Sequence, residues 1–180
     1  MISAGDILIA PPGLPDSRFS ETVIYLWEHS LKGSAGVVLN RPSTNTIQEV
    51  CSDVVEHIGS HCLYWGGPVL PNIVFMLHSA EWSTVKTQII DPQIAVTSDS
   101  EMFLRVSELQ PMYWRAFFGH SGWAPGQLEG ELRGQEPWRS EQSWLVWHEP
   151  PAEWLFECPE DDMWQSAIDH CRSQAVASWF

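Results

Sequence analysis

The hydrophobic pattern alternates short β-branched or aromatic runs with a few segments of helical period. Asp6 to Ala10 predicts a short strand, and Pro11, Pro12, Gly13 and Pro15 force a loop after it. Thr22 to His29 and Ala35 to Asn40 predict a hairpin with Gly33 in its connection. Arg41-Pro42 ends the second strand, because proline cannot donate to a ladder and restricts the residue before it. Leu63 to Val69 and Asn72 to His78 predict a second hairpin around Leu70-Pro71. Thr87 to Ile90 and Ile94 to Ser98 predict shorter strands separated by Asp91-Pro92. Met112 to Gly119 is apolar on both faces and predicts a central strand, and Ser143 to His148 a further one.

Three stretches carry the helical period. Ile47, Val50, Cys51, Val54, Val55 and Ile58 form one apolar face, with Thr46 and Glu49 as a capping box and Gly59 as the stop. A second helix starts at Ser98, pairs it with Glu101, buries Met102, Phe103, Val106 and Leu109, and ends at Pro111. The last follows Cys158-Pro159, with Glu160, Asp161 and Asp162 in its first turn, where the helix dipole favours anions, and Met163, Trp164, Ala167, Ile168 and Cys171 on its buried face. A turn at Gly122 to Gly126 leads into a short helix near Gln127 to Arg133. Strands arriving as hairpins, without regular βαβ units, predict an α/β domain of α+β type with a mixed, largely antiparallel sheet and helices outside. No repeat or long linker divides residues 1–180, so one domain is expected.

Charge narrows the functional classes. The chain has 9 Lys+Arg against 23 Asp+Glu, a formal charge of −14, yet only 18% of its residues are charged. It is acidic because it lacks bases. Direct nucleic-acid binding needs clustered cations to displace counterions from phosphates, so no such partner is expected. An anionic membrane surface is disfavoured for the same reason. No basic, apolar leader opens the chain and no run approaches the roughly 20 apolar residues that span a bilayer, so a cytoplasmic location is expected. Cys51, Cys62, Cys158 and Cys171 form no C-x-x-C pair and read as buried free thiols.

Candidate chemistry is sparse. His57, His61, Cys62 and Cys51 lie near one another, but Gly59 breaks the spacing of a helical zinc motif and its glutamate is absent, so no metal is expected. Gly119-His120-Ser121-Gly122-Trp123 approximates a nucleophile elbow, with Trp123 standing where the second glycine belongs. Strand alternation would turn His120 away from Ser121. Gly33-Ser34-Ala35-Gly36 lacks the Lys-Ser/Thr of a phosphate loop, and Gly66-Gly67-Pro68 runs into a strand, so no nucleotide cofactor is called for. Eleven tryptophans supply either core bulk or an aromatic contact surface.

Four ordered blocks resemble the bacterial YqgE/AlgH family. They are Gly5 to Ala10 with Pro12, Leu14, Asp16, Phe19 and Val23 to His29; Gly33 with Ala35 to Pro42; Gly66 to Val69 with Leu77-His78; and Gly119, Gly122-Trp123 with Pro125 to Glu129 and Glu131-Leu132. The resemblance implies a bifurcated sheet, partly closed like a small barrel and surrounded by helices. It implies no established activity; one branch bears a transcriptional-regulator label. Ser121, the Gln135-Glu136-Pro137-Trp138 stretch and the tail from Arg172 to Phe180 depart from the family pattern.

The matched residues define the candidate site: Glu28, His29, Asn40, Arg41, Pro42, Gly66, Gly67, Pro68, His78, Gly122, Trp123, Gly126 and Gln127. Turns and strand ends account for each singly, with Asn40 bonding a turn and Arg41 pairing a carboxylate. Alternatively, Glu28, His29, Asn40, Arg41 and His78 converge on a pocket beside Gly66-Gly67. The sequence thus supports a binding or regulatory protein with a protein or small-molecule partner. The alternative is a hydrolase or transferase near Arg41, His78 or Ser121. It sets no oligomeric state.

Overall fold

The computed structural model describes residues 1–14, 16–53, 56–99, 101–135, 137 and 144–177. Among these residues, ten strands form one connected sheet: β1 (Ile7–Ile9), β2 (Val23–Ser30), β3 (Gly33–Val38), β4 (Pro42–Thr46), β5 (Cys62–Trp65), β6 (Val69–Ser79), β7 (Thr87–Ile89), β8 (Ile94–Thr97), β9 (Trp114–Trp123) and β10 (Leu145–Trp147). The helices are α1 (Ile47–Val50), α2 (Glu56–Gly59), α3 (Met102–Leu109), α4 (Gln127–Arg133), α5 (Ala152–Glu157) and α6 (Glu160–Ala177). The strand order is β10-β1-β2-β3-β9-β6-β8-β7, with β4 and β5 as a side branch. Every pairing is antiparallel except that of β5 with β9.

The sheet divides at β9. One edge of β9 pairs with β6, from His78↔Trp114 to Val69↔His120. The other edge is shared, β5 holding Phe117 and Phe118 and β3 holding Ser121 to Trp123. Because β5 and β6 lie on opposite edges of β9, Gly66-Gly67-Pro68 must carry the chain across that strand. The crossing is tight. A Cβ on Gly67 would overlap the His120 backbone, and one on Gly66 or Gly119 would overlap the carbonyl of Gly119 or Gly67. Gly67 (φ 146°) and Gly119 (φ 67°) also adopt backbone angles that side chains disfavour.

The sheet is curled. In a flat sheet β2 and β6 would stand about 14 Å apart, three strand spacings. Yet Trp27 of β2 and Phe75 of β6 stack at 5.0 Å between ring centroids. The inside of the curl holds one core, including Tyr25, Val37, Leu77 and Phe117, closed by Leu155 of α5 and by Met163, Ala167 and Ile168 of α6. A second core packs α3 against β6 and β9 through Met76, Phe103, Val106 and Ala116. A third packs Leu128 of α4 with Leu8, Ile24, Leu26, Val38 and Trp123. This is the α+β half-barrel that the resemblance implies.

Several elements differ from expectation. The segment from Ile47 is two single turns, because Cys51 is extended (φ −143°, ψ 93°) and the Gln48 amide donates to the Ser52 carbonyl at 2.7 Å, closing the turn; Val54 and Val55 lie outside the described residues. The Glu49 carboxylate still accepts the Thr46 amide, at 2.7 Å. Strands β5 and β6 flank β9 and form no hairpin, and Leu70-Pro71 lies in a bulge of β6. Pro42 begins β4, a position where its missing N–H is tolerated. Helix α3 starts four residues after Ser98; Asp99 accepts the Glu101 amide at 3.0 Å, and Leu109 is exposed. Residues 119–123 continue β9, so they do not make the turn that an elbow requires. Helix α5 was not anticipated, and Ser143 lies outside the described residues.

The crossing gives a stability test. Gly67→Ala should cost about 3 kcal/mol, combining positive-φ strain with a backbone clash, which lowers Tm by roughly 6–12 °C in a chain of this size. Gly126→Ala has positive φ but open space around it and should cost about 1 kcal/mol. Thermal unfolding of both variants checks the ratio; equal losses would contradict the crossing.

Candidate functional site

The thirteen candidates do not form one site. His29 pairs with Ser34, which pairs with Trp123 at the C-terminal end of β9, whereas His78 pairs with Trp114 at its start. Nine residues of strand separate the two ends, about 30 Å. Asn40 contacts Val23, six residues or about 20 Å along β2 from His29. A common pocket for Glu28, His29, Asn40, Arg41 and His78 beside Gly66-Gly67 is therefore overturned.

Asn40 and Arg41 are staples. The Asn40 amide oxygen accepts the Val23 N–H at 3.0 Å and its NH2 donates to the Glu21 carbonyl at 2.9 Å. That fixes the entry to β2 beside Glu21, whose φ is 55°. Arg41 donates to the Ser20 carbonyl, not to the carboxylate expected of it. The buried arginine that meets a carboxylate is Arg115. It lies 3.8 Å from Glu160, donates to the carbonyls of Leu39 (2.9 Å) and Phe156 (3.2 Å), and sits 4.6 Å from the Tyr64 ring centroid. Tyr64 donates to the same Glu160, and burial with that carboxylate pushes its phenol well above the ordinary tyrosine value. Arg115 thereby ties the α5–α6 junction to the sheet, a role sequence reasoning missed because its partners are distant in the chain.

Gly66 and Gly67 approach strand β9 rather than a ligand. Ser121 is buried there and donates to the Gly66 carbonyl at 3.1 Å. His120 turns to the other face, against Trp27 and Phe75 at 5.4 and 5.3 Å, as alternation requires. Pro68 is exposed just beyond the crossing, and Pro42 is exposed at the start of β4.

His78 is fully buried and stacks on Trp82 at 3.8 Å. Its Nδ1 faces the Ser79 carbonyl at 2.9 Å, which can only accept, so Nδ1 carries the proton. Its Nε2 then accepts from Thr97 at 2.9 Å, and Thr97 in turn meets Thr87 at 2.6 Å. A histidine saturated in this way is structural.

The remaining candidates gather at the C-terminal end of β9. Trp123 and Trp144 donate to Glu131 at 3.0 and 2.8 Å, and Gln127 donates to its other oxygen at 2.8 Å. Gln127 also accepts the Ala124 amide at 3.0 Å, while Gly126 supplies the left-handed residue before α4 (φ 76°). Beside them, His29 Nδ1 meets the Ser34 hydroxyl at 2.8 Å and its Nε2 lies 3.6 Å from a Glu129 oxygen. Glu28 is exposed next to His29, and Gly122 is exposed in the strand opposite Ala35.

Among the described residues, no group of three His, Cys, Asp or Glu side chains is placed to hold a metal. Nor is any helix long and apolar enough to cross a membrane. The four cysteines are half-buried and free. Burial pushes the Cys158 and Cys171 thiols up, away from reactivity. No described tryptophan is exposed, which favours core bulk over an aromatic contact surface. A depression of about 290 Å³ lies near the start of β9, lined by Ser79, Glu81, Gln93, Met112 and Tyr113 with others. None of the thirteen candidates lines it.

The AlgH-like family model (DUF179) matches residues 7–175. This chain belongs to the AlgH-like family. It is 30% identical over 172 residues to a UPF0301 protein of Methylococcus capsulatus, covering 92% of this chain and 87% of the relative. A UPF0301 protein of Stutzerimonas stutzeri is 34% identical over 166 residues, covering 89% and 84%. The solution structure of the AlgH protein from Pseudomonas aeruginosa superposes with a TM-score of 0.76 at 30% identity, covering 92% of this chain and 87% of that one. A crystal structure of a Corynebacterium diphtheriae protein gives 0.74 at 23% identity, with coverage of 94% and 87%, and shows the shared fold.

Two expected outcomes follow. Removing the Arg41 side chain should destabilise the fold by about 1–2 kcal/mol, read as a lower urea midpoint, because it unpairs the Ser20 carbonyl. The second concerns pH. Burial holds His78, and likewise His120, below the ordinary imidazole value of 6.5. The unfolded chain therefore binds protons that the folded chain refuses, so stability is complete above pH 6.5 and declines as pH falls below it toward the depressed folded values. Urea midpoints between about pH 8 and about pH 5 should show this fall, with a shallower slope in His78→Gln. A slope unchanged by that substitution would contradict a neutral buried His78.

Proposed function

We propose that this AlgH-like protein is a binding or regulatory protein acting through protein or small-molecule contacts, without machinery for direct DNA binding. The observation that carries this reading is an exposed apolar arch on β6. Between Val69↔His120 and Val74↔Phe118, β6 carries more residues than β9, so Leu70 to Ile73 bulge outward. Val69, Leu70 and Ile73 are 38%, 55% and 43% exposed. Leu70 holds φ at 48°, a strained angle for a leucine. Strand β8 pairs only with Met76 to Ser79, so it leaves the arch uncovered. From His57 to Ala80 there is no Asp, Glu, Lys or Arg, in a chain of net charge −14. Exposed apolar surface kept in a strained shape and free of charge suits a contact site.

Charge supports the exclusion of DNA. Arg18, Arg105 and Arg172 pair with Asp16, Glu108 and Asp169, and Arg41 and Arg115 are tied to carbonyls, so these cations are spent within the fold. The family's regulator label would then act through another protein or a ligand.

Affinity capture with the wild-type protein and with a Leu70→Asp, Ile73→Asp variant tests the reading. A partner or ligand retained by the first and lost by the second, with folding unchanged by circular dichroism, is the expected result. Identical captures, or salt-sensitive retention of the wild type on DNA, would overturn it.

A further inference from the structure

Around the candidate His29, beside the C-terminal end of β9, lies an arrangement that binding alone does not use. His29 is the cross-strand partner of Ser34 in the β2–β3 hairpin, and its Nδ1 lies 2.8 Å from the Ser34 hydroxyl. Its other nitrogen lies 3.6 Å from Glu129 Oε1 in the first turn of α4. We infer that Ser34, His29 and Glu129 form a nucleophile–base–carboxylate array for acyl transfer from a small activated ester or thioester.

The tautomer supports this. A carboxylate only accepts, so it favours the proton on Nε2 and leaves the Nδ1 lone pair to accept the Ser34 O–H. That is the polarity a general base needs, with the roles of the two ring nitrogens exchanged relative to the familiar triad. A separation of 3.6 Å is long for a hydrogen bond but within ion-pair reach, and such contacts tighten as positive charge develops on the ring.

Rigid elements hold the array. Gly33 adopts φ 126°, and a Cβ there would overlap the Trp123 carbonyl, so the hairpin lies flush on β9. Ser34 sits in register with Trp123, whose indole is fixed by Glu131 on the same helix that carries Glu129. The His29 and Glu129 side chains are 15% and 30% exposed and Ser34 is 7% exposed, so the array meets solvent from its His29–Glu129 side, unlike the saturated His78 and Ser121.

The step balances without an added reagent. As the Ser34 oxygen bonds the acyl carbon, its proton moves to His29 Nδ1. That proton passes to the leaving oxygen or sulfur as the acyl bond to it breaks. Water then attacks the acyl-serine, gives its proton to Nδ1, and Ser34 recovers that proton as the acid leaves. His29 is the base, and Glu129 is a positioning residue that acts through it.

Treatment of the purified full-length protein with a fluorophosphonate probe tests the array. One probe per chain is expected, mapped by mass spectrometry to the peptide containing Ser34 and lost in Ser34→Ala. His29→Gln should slow labelling about 100-fold, the usual worth of a general base. Glu129→Gln should slow it less, and Glu129→Asp, which keeps a carboxylate toward the ring, should restore most of the rate. No labelling of the folded wild type, labelling mapped elsewhere, or an unchanged rate in His29→Gln would overturn the inference. Mapping on the wild type needs no variant to fold. None of these readouts involves the β6 arch, so they leave the binding reading to its own test.

Discussion

The fold depends on the crossing of Gly66-Gly67-Pro68 over β9. Without it, β5 and β6 could not occupy opposite edges of one strand within three linking residues. The crossing ends β5 at Trp65 and frees the edge of β9 beyond Phe118 for β3. That division splits the sheet, and curvature then brings β2 within stacking distance of β6. Backbone contact of this kind admits no side chain, so the glycines at 66, 67 and 119 are a steric requirement of the topology. The bulge of β6 follows directly after the crossing, where the chain must regain its pairing with β9.

Around that constraint, polar side chains close the backbone positions that the topology leaves open. Asn40 replaces a missing strand partner for Val23, Arg41 holds the Ser20 carbonyl, and Arg115 bridges Leu39 and Phe156. Glu131 gathers two indoles and an amide at the other end of the sheet. Each removes a desolvated polar group that would otherwise cost about 1–3 kcal/mol. A sequence motif rich in Asn, Arg and Gly looks like a ligand site, and here the atoms it recognises belong to its own chain.

The legible parts of this structure are those whose partners are close in sequence. The β2–β3 pairing, the strands β7 and β8, the Thr46–Glu49 cap and the buried face of α6 follow from local pattern. The flanking of β9 by β5 and β6 does not, because two apolar runs separated by Leu70-Pro71 read equally well as a hairpin, with Gly66-Gly67 inside the first run. Helix α1 stops where Gln48 bonds the Ser52 carbonyl, a competition that apolar periodicity does not register. His29 was visible as a candidate while Ser34 and Glu129 were not. The signal was present in the hairpin: Ser30 pairs with Gly33 across Leu31-Lys32, which sets His29 opposite Ser34. Leu-Lys carries no favoured turn residue, so the register was not fixed by its chemistry.

The scarcity of cations gives the surface its functional character. Arg115 is buried, and Arg18, Arg105 and Arg172 are matched to carboxylates within three residues of sequence, so among the described residues most acidic side chains face solvent without a basic side chain against them. On the proposed reading, such a surface disfavours phosphate backbones and anionic lipid as partners. Contact therefore favours places where charge is absent or where a carboxylate is already engaged. The β6 arch is the first kind, and the end of β9, where Glu129 faces His29 and Glu131 is covered by indoles, is the second. Both lie toward the same end of β9, because the glycine crossing that bulges β6 also releases the edge on which β3 brings Ser34 to Trp123.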